Sequence, residues 1–333
     1  MDIQQWEIDT ILWFQDHGEW LEPIMQFFTL LGFPQTYVLL VAILYWSVDS
    51  RLGQRFAIFV LFTGAVNEIL KRLLHSPRPY WIDSRVRPIG SVSTSFGLPS
   101  GHAQSSVVWI FIGDAMKKWW GWVLSLFVIM MIGLSRIYLG AHSPVQVGTG
   151  WVMGGLFMFV CMRFERPFME WIAAKPVVQQ LLIVTSITLV LLLIGYGSVV
   201  LLNDWEIPEL WSQNVALHLE EGESFEPRGF EPIAITCAAL LGTGVGSILM
   251  NHFGGHSAGG TWKMRVLRTL VGSIALIFLL FLLTILGEFA GISDDQVLLN
   301  GSWRSISAFL ILFVIFCPIP LLFQRIGLAD TPE

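Results

Sequence analysis

Long apolar stretches recur along nearly the whole chain, and they restrict its fold more than any other feature of the sequence. A helix needs about 17 to 25 residues to cross the hydrocarbon core of a bilayer, and the stretches reach that length. They are continuous, whereas the strands of a transmembrane barrel alternate apolar and polar residues. Only 13% of the 333 residues are charged, against about 25% in a typical soluble domain. The sequence therefore predicts an all-α polytopic membrane protein.

The apolar stretches predict nine membrane-spanning helices separated by short polar segments. These spans are residues 24–48, 54–74, 102–116, 121–140, 143–162, 178–201, 232–250, 266–289 and 304–323. Residues 3–14 differ from the spans, because they mix Ile, Leu and Trp with Asp, Glu and Gln. That mixture is typical of an amphipathic helix in the membrane interface, so we predict an interfacial N-terminal segment over residues 1–22.

Lysine and arginine in short loops favour the cytoplasmic side of a membrane. The first 50 residues contain neither, and with nine spans most later cations fall on the side opposite the N-terminus. We therefore predict an extracytoplasmic N-terminus and a cytoplasmic C-terminus, in the inner (plasma) membrane of a bacterium. Eight basic residues fall on the outer side instead: Lys71, Arg72, Arg78, Arg85, Arg87, Arg136, Arg228 and Arg304. Six of them lie in or beside residues 71–87 and 135–146, and such a cluster of cations indicates an anionic ligand.

Three short polar segments meet the predicted outer face of the membrane. The first is KRLLHSPRPYW, in which Lys71 ends a span and Arg78 follows in a proline-stiffened loop. The second is GLPSGH, which ends at His102, and the third is SRIYLGAHSPVQ, which holds Arg136 and His142. Charged groups at such depth cost free energy unless they are paired or hydrated, so they are candidates for a functional site.

The chemistry of these segments suits a phosphate group. Lys71 supplies a point charge, and Arg78 and Arg136 offer planar forks of donors that match phosphoryl oxygens. The residues around Ser100 and Gly101 predict a helix N-terminus with Ser100 near the N-cap, whose free N–H groups and dipole attract the same anion.

Two histidines, His102 and His142, complete this predicted site. Imidazole attacks phosphorus when it is neutral and donates a proton when it is charged, so the two can form an acid and nucleophile pair. The alternative is that these polar residues are isolated side chains that reach the interface at span ends. The joint occurrence of both histidines and the PSGH turn disfavours that alternative.

Lys71 with Arg78-Pro79, then PSGH at residues 99–102, then Ser135-Arg136 with His142 resemble the three-part signature of the type 2 phosphatidic acid phosphatase (PAP2) superfamily. The parts occur in the order and at the spacings of these metal-independent membrane phosphatases. The resemblance covers about residues 24–200 and implies a six-helix phosphatase core over 23–202. An acidic extracytoplasmic loop, 203–231, and about three additional C-terminal transmembrane helices, 232–333, would follow this core.

The resemblance also implies a role for each site residue. His142 would attack phosphorus to form a phosphohistidine, and His102 would protonate the leaving alcohol and later activate water. Five residues would hold the phosphoryl oxygens: Lys71, Arg78, Ser100, Gly101 and Arg136. We expect neither a metal ion nor a cofactor.

One position departs from the family pattern. The family usually carries Asp four residues after the nucleophilic histidine, and this chain has Gln146. The amide can accept the Nδ1–H of the ring, but it does not compensate the positive charge that develops there, and a flipped amide would select the wrong tautomer. The glucose-6-phosphatase branch is similar in its Gln, its nine-span plan and its N-terminus outside the cytosol. We expect Gln146 to support catalysis, with a degenerate, inactive site as the alternative.

These features predict a membrane phosphatase whose site opens at the extracytoplasmic face. A site at the membrane boundary favours a lipid phosphate or diphosphate, such as phosphatidate, phosphatidylglycerol phosphate, a polyprenyl diphosphate or a sphingoid phosphate. A sugar phosphate, phosphotransfer to an acceptor alcohol, and a silent protein that binds or transports a phosphorylated ligand are the alternatives. We expect the lipid bilayer and the phosphorylated substrate as partners, no nucleic acid, and leave a homo-oligomer open.

Other polar and small residues have simpler interpretations. The spacing of His252 and His256 fits a metal-ligand pair, but the surrounding glycines favour a flexible loop. The three cysteines lie in apolar stretches and are predicted to be core residues, not a disulfide set or metal site. The acidic loop is predicted to be solvated, with a substrate lid as the alternative. Five glycines in apolar spans predict close helix packing: Gly150, Gly154, Gly242, Gly244 and Gly246.

Overall fold

The fold is helical throughout the part of the chain that the computed structural model describes, which comprises residues 3–90, 92–220, 225–292 and 296–330. No strand occurs among these residues. The helices are α1 (Gln5–His17), α2 (Glu22–Leu30), α3 (Pro34–Ile43), α4 (Ser50–Leu74), α5 (Pro79–Ile82), α6 (Gly101–Ser106), α7 (Trp109–Met116), α8 (Trp119–Tyr138), α9 (Pro144–Ala173), α10 (Val177–Val200), α11 (Glu209–Ala216), α12 (Glu231–His252), α13 (Trp262–Phe289), α14 (Val297–Phe316) and α15 (Pro318–Arg325).

Six segments in the described residues are long and apolar enough to cross a membrane. They are Trp119–Tyr138, Pro144–Ala173, Val177–Val200, Glu231–His252, Trp262–Phe289 and Leu298–Arg325. Each overlaps one of the predicted spans, and the last three are the predicted C-terminal helices. The prediction of a polytopic all-α membrane protein is therefore confirmed.

The other three predicted spans differ from the prediction. Residues 24–48 belong to two helical segments, Glu19–Leu30 and Pro34–Val48, which meet at an angle of 54°. They add a seventh span if the two segments together cross the membrane once. α4 is 25 residues long but carries charges near both ends, including Arg51, Arg55, Lys71 and Arg72. Residues 102–116 divide into the short helices α6 and α7. By length and composition, the described residues thus contain six or seven candidate spans, whereas nine were predicted.

The chain forms two compact units, and neither is a continuous segment. Unit 1 comprises Met1–Thr36, Val66–Cys161 and Ile194–Phe230, and unit 2 comprises Tyr37–Ala65, Met162–Leu193 and Glu231–Glu333. All the site residues predicted from the sequence lie in unit 1.

The core of unit 1 joins α1 to the turn that follows α4. Ile8 and Ile11 of α1 are buried against Tyr80, Trp81 and other residues of this core. Trp6 and Trp13 lie on the exposed side of the same helix. α1 is thus a packed part of unit 1, and its position at the membrane interface stays a prediction.

The acidic loop is packed over much of its described length. α11 lies against α5, where the Asn214 side chain donates to the Trp81 carbonyl oxygen over 3.0 Å. The Trp81 ring contacts Trp211 and Phe225 at centroid distances of 5.7 and 4.8 Å. Asp204, Glu206 and Glu209 remain exposed, so the prediction of a solvated loop is wrong for its aromatic side and correct for these carboxylates.

In unit 2, α12 packs against α14 through small residues. A Cβ at Gly242 would overlap the Phe309 carbonyl oxygen, and one at Gly246 would lie 2.9 Å from the Phe316 Cβ. The predicted close packing at these two glycines is confirmed.

His256 is buried while His252 is exposed. Within the described ranges, no group of three or more His, Cys, Asp and Glu side chains is arranged to hold a metal ion.

Candidate active site

Lys71 lies in the last turn of α4, where it is 7% exposed. Its Nζ donates to the Glu68 carboxylate over 3.0 Å and to the Ser95 hydroxyl over 3.1 Å. Glu68 also pairs with Arg72 at 3.1 Å, and the spacings of three and four residues put all three groups on one helix face. Glu68 thus holds Lys71 in place while a further ammonium N–H is left for a ligand.

Arg78 precedes α5 and is 2% exposed. Its Nε donates to the Ser95 carbonyl oxygen over 2.6 Å, and its Nη2 donates to the Ser95 hydroxyl over 3.0 Å. Its Nη1 donates to the Ala141 carbonyl oxygen over 2.9 Å. The guanidinium therefore connects the first motif with the loop before PSGH and with the third motif.

The PSGH segment forms the predicted helix start. Ser100 is the N-cap of α6, and its hydroxyl accepts from the Ala103 N–H at 3.5 Å. Asn67 of α4 fastens this turn, because its side chain donates to Gln104 at 2.8 Å and to the Pro99 carbonyl oxygen at 3.3 Å. The predicted N-cap is confirmed. α6 has only six residues, so its dipole is smaller than a full-length span would supply.

Two glycines of α9 let it approach α6 closely. A Cβ at Gly150 would lie 2.6 Å from the Ser100 carbonyl oxygen, and one at Gly154 would lie 2.5 Å from the Gln104 carbonyl oxygen. The predicted close packing at both glycines is confirmed. It brings the helix that follows the third motif directly against the second motif.

His102 lies beside the break between α2 and α3. The Phe33 ring stands edge-on to the imidazole at 5.1 Å, and a Cβ at Gly32 would lie 2.6 Å from the His102 Cδ2. The His102 Nε2 is buried and has no hydrogen-bond partner among the described residues. This nitrogen is therefore available to a bound substrate.

Arg136 lies in the last turn of α8 and is 7% exposed. Its Nη1 donates to the Thr29 hydroxyl at 2.6 Å, and its Nε has no partner in the described part of the chain. An arginine that is buried with unused donors is costly unless a ligand supplies acceptors.

His142 is 2% exposed, and both of its ring nitrogens have neighbours. Nδ1 lies 2.8 Å from the Gly97 carbonyl oxygen and 3.3 Å from Gln146 Oε1. Both neighbours accept hydrogen bonds, so Nδ1 carries the proton and Nε2 keeps its lone pair. Nε2 lies 3.2 Å from Arg78 Nη1. Burial, and then the charges of Arg78, Arg136 and Lys71, hold the pKa of His142 well below its ordinary value, so the ring is neutral.

Gln146 is held by a network that fixes the orientation of its amide. Oε1 accepts from the Ser143 N–H at 3.1 Å, and Nε2 donates to the Pro77 carbonyl oxygen at 2.7 Å. The Ser143 hydroxyl in turn lies 3.3 Å from the Gln146 N–H, so Ser143 and Gln146 form a reciprocal capping box at the start of α9. In a flipped amide, Nε2 would face two donors, the Ser143 N–H and the Nδ1–H of His142, and Oε1 would face the Pro77 carbonyl oxygen, so all three hydrogen bonds would be lost. Gln146 thus caps α9 and presents Oε1 to the His142 ring.

The structure brings the three predicted motifs together in unit 1. Lys71 and Arg78 share the Ser95 hydroxyl, Arg78 contacts His142, and the Ser100 N–H donates to the Gln146 carbonyl oxygen at 3.0 Å. Gly101 follows Ser100 as the first residue of α6, and an added Cβ there would lie 3.1 Å from Asn67 Oδ1. Each predicted site residue is therefore part of, or adjacent to, one buried cluster.

Sequence reasoning missed several residues that contact this cluster: Glu7, Thr29, Asn67, Glu68 and Ser95. Glu68 could have been found, because an acidic residue three before Lys71 on a helix is a recognisable pair. Nothing in the sequence marks Thr29 or Glu7, since both reach the site from positions more than a hundred residues away along the chain.

Cations and histidines that converge in a polytopic helical protein define a membrane enzyme that acts on phosphate esters. Comparison with known families makes the assignment specific. Residues 54–170 match the family model of the PAP2 superfamily, and residues 234–331 match that of the PAP2 superfamily phosphatase transmembrane extension. The chain belongs to the PAP2 superfamily.

Individual relatives are distant and cover only part of this chain. An undecaprenyl-diphosphatase of Sulfolobus acidocaldarius is 23% identical over 149 residues, which are 44% of this chain and 71% of the relative. Lipid phosphate phosphatase delta of Arabidopsis thaliana is 23% identical over 42% of this chain and 37% of its own length. Glucose-6-phosphatase 2 of Mus musculus is 26% identical over 58% of this chain and 60% of its own length. The chain thus spans less than two thirds of two of these relatives, and no solved structure matches it significantly.

Proposed function

We propose that this protein hydrolyses a phosphomonoester or diphosphate, in first place a lipid phosphate, through a phosphohistidine on His142. The observation that carries the proposal is the state of the His142 ring. Nδ1–H is fixed by Gly97 at 2.8 Å and by Gln146 at 3.3 Å, and the lone pair of Nε2 points toward Arg78. A neutral imidazole in that tautomer, beside several buried cations, is prepared to attack an anionic phosphoryl group.

In the first step, Nε2 of His142 forms a bond to phosphorus while the bond from phosphorus to the leaving oxygen breaks. Lys71, Arg78 and Arg136 hold the phosphoryl oxygens together with the Ser100 hydroxyl and the Gly101 N–H, because the Ser100 N–H is already bonded to the Gln146 carbonyl oxygen. Phosphoryl oxygens compete for Arg78, which releases Nε2 from the N–H that it accepts at 3.2 Å. Burial, and then the charges of Arg136, Lys71 and Arg78, hold the pKa of His102 well below its ordinary value in the free protein. The bound phosphoryl group partly neutralises these cations, so His102 takes up a proton as the substrate binds and gives it to the leaving oxygen.

In the second step, water attacks the phosphohistidine. His102, now neutral, accepts a proton from this water as the new oxygen bonds to phosphorus. The bond between phosphorus and Nε2 breaks, its electron pair returns to the ring, and inorganic phosphate leaves. The Gly97 carbonyl oxygen and Gln146 Oε1 keep the Nδ1 proton in place throughout, so His142 returns to its starting tautomer.

A lipid substrate is supported by the place of the site and by the relatives. The third motif begins at the end of the apolar span α8, and the first begins at the end of α4, so both lie at helix ends, where the headgroup of a lipid meets the membrane boundary. An undecaprenyl-diphosphatase and a lipid phosphate phosphatase are among the relatives. Phosphatidate, phosphatidylglycerol phosphate, polyprenyl diphosphates and sphingoid phosphates are the lipid candidates.

A sugar phosphate is the second candidate, and Gln146 is the observation that favours it. The Gln146 side chain occupies the position at which the glucose-6-phosphatase branch also has Gln, and glucose-6-phosphatase 2 aligns with 58% of this chain. Phosphotransfer would use the same residues with an alcohol in place of water. A silent binding protein is disfavoured, since both histidines and the cations are present.

The protein is embedded in a bilayer. We place it in the inner (plasma) membrane of a bacterium, with the N-terminus and the site on the extracytoplasmic side and the C-terminus in the cytoplasm. The absence of lysine and arginine from the first 50 residues supports an extracytoplasmic N-terminus.

Phosphate release by the purified protein from a panel of lipid and sugar phosphates tests the function. We expect one lipid class to be preferred, activity to survive EDTA, and vanadate to inhibit. His142→Ala is the control and should lower turnover by about 10⁴-fold or more, as loss of a nucleophile does. Equal, slow release by both proteins from every substrate would support the silent alternative, and a requirement for an added divalent ion would remove the mechanism.

A further inference from the structure

Glu7 is a buried carboxylate at the edge of the proposed active site. It lies in the first turn of α1 and is 3% exposed. Its Oε2 accepts from the Gln4 N–H at 2.9 Å, which caps α1 itself. Its Oε1 accepts from the Ser143 hydroxyl at 2.5 Å and from the Val145 N–H at 3.1 Å, both at the start of α9. One carboxylate therefore caps two helices.

The contacts of Glu7 lead directly to the His142 ring. The Ser143 hydroxyl donates to Glu7 and accepts from the Gln146 N–H at 3.3 Å. The Ser143 N–H donates to Gln146 Oε1, and the same oxygen faces Nδ1 of His142. A small cavity of about 10 Å³ is lined by Glu7, Ser143 and Gln146 among other residues, so these groups share one space.

The negative charge of Glu7 also suits it to hold the Ser143 hydroxyl in place. A hydrogen bond from a hydroxyl to a carboxylate is shorter and about twice as strong as one between neutral groups, and the 2.5 Å distance to Ser143 fits such a bond. Gln146 itself is neutral, so the only charge in the chain of contacts from α1 to His142 is that of Glu7. Ile8 and Ile11, which are buried next to Glu7 on α1, hold the helix against unit 1.

We propose that Glu7 is a positioning residue for the nucleophile: it fixes Ser143, and through the capping box it keeps Gln146 Oε1 on the Nδ1–H of His142. α1 is then a working part of the active site and not only a membrane-surface segment. The inference rests on the proposed function for its effect on turnover. Its effect on the His142 tautomer is independent of any substrate.

Steady-state kinetics of Glu7→Gln give the first test. The cations that hold phosphate do not contact Glu7, so KM and the inhibition constant of inorganic phosphate should stay unchanged. Turnover should fall about tenfold, because a weaker bond to Ser143 lets Gln146 Oε1 drift from Nδ1 and leaves the Gly97 carbonyl oxygen as the remaining acceptor. Glu7→Asp keeps the charge and should recover part of the loss. Asp9→Asn removes an exposed carboxylate on the same helix, whose side chain contacts only Gln5 among the hydrogen bonds described, and should not change turnover.

A double-mutant cycle separates this role from general support of the fold. Ser143→Ala removes the hydroxyl through which Glu7 acts, so Glu7→Gln should add almost nothing in that background. Independent, additive losses would contradict the proposed connection.

Nuclear magnetic resonance of ¹⁵N-histidine-labelled protein completes the test without a substrate. His142→Gln assigns the signal. We expect wild type and Asp9→Asn to keep the Nδ1–H tautomer, and Glu7→Gln to add a minor share of the other tautomer, because the Gly97 carbonyl oxygen still accepts from Nδ1–H. An unmixed tautomer in Glu7→Gln, or a loss of phosphate affinity in proportion to turnover, would overturn the role of Glu7. If wild type released no phosphate, the proposed function would fail while the tautomer comparison would still decide this inference.

Discussion

Both compact units contain buried arginines, but the hydrogen-bond partners of these arginines lie at different distances along the chain. In unit 2, Arg268 is fully buried and its terminal nitrogens donate to the carbonyl oxygens of Ser257, Ala258 and Gly259, at most 11 residues away. In unit 1, Arg136 bonds to Thr29, 107 residues away, and Arg78 to Ala141, 63 residues away. A buried cation that pairs with its own loop holds that loop. Cations from distant segments that converge despite their repulsion indicate a ligand.

The buried histidines of the two units differ in the same way. His256 lies among the rings of Tyr45 and Phe323, and burial lowers its pKa to about 4. For His142 the cations Arg78, Arg136 and Lys71 add to burial in lowering the pKa. Both rings are neutral when folded, but only the charge state of His142 is connected to an anion site.

Lysine substitutions of Arg136 and Arg268 should show the largest difference between the two units. Arg136→Lys removes the planar fork and should lower kcat/KM by about 10²-fold, as loss of one transition-state donor does. Arg268→Lys should lower the thermal midpoint in detergent and leave kcat/KM of the folded protein unchanged, because its bonds go to a loop of unit 2. Kinetics and melting curves of both variants check this. A large loss of kcat/KM with Arg268→Lys would contradict the assignment of roles.

Anion binding should sharpen the contrast between the histidines. Without ligand, both should titrate below the ordinary value of 6.5. Saturating phosphate or vanadate partly neutralises the surrounding cations, so the pKa of His142 should rise while that of His256 stays in place. Each ring is neutral when folded, and the unfolded chain therefore binds more protons as pH falls below 6.5, which lowers stability. Histidine NMR titrations with and without the anion measure both shifts, and an equal shift of the two rings would sink the prediction.

The substitution Ser95→Ala should have the smallest effect, which we expect on the inhibition constant of vanadate. The Ser95 hydroxyl lies 3.1 Å from Lys71 Nζ and 3.0 Å from Arg78 Nη2, a position suited to a phosphoryl oxygen. If a substrate must displace it, Ser95→Ala should lower the inhibition constant of vanadate about threefold, since each removed competing hydrogen bond contributes little net free energy. Thr94→Ala, beside it in the chain, is the control. Weaker inhibition after Ser95→Ala would instead make the hydroxyl a ligand of the anion.

Local patterns predicted much of the site. The N-cap at Ser100, the cations of the three segments and the glycines Gly150 and Gly154 all follow from spacing and residue type, because these signals act within a few residues. Thr29 and Glu7 were not predictable, since each acts through a contact made only by the folded chain. The sequence singled out Gln146, but its capping role became visible only from the positions of Ser143 and Pro77.

The fold was predicted less evenly. Mean apolarity identified the long spans α8, α9, α10, α12 and α13, yet it could not see the break that divides α6 from α7 or the 54° bend after α2. Such breaks depend on packing: Gly32 and Phe33 at the bend lie against His102. The acidic composition of the loop after α10 predicted that the whole loop is solvated. Its carboxylates are exposed, but its aromatic residues pack inward, and composition does not reveal that packing.

Chemical trapping of the intermediate tests the central claim most directly. The protein is mixed with a ³²P-labelled substrate from the panel, quenched in alkali, where phosphohistidine survives, and the label is located by peptide mapping. We expect labelled His142, absent in His142→Ala and present in His256→Ala, and slower loss of the label in His102→Ala. Rapid turnover with no label on His142, or label on another residue, would contradict the phosphohistidine mechanism.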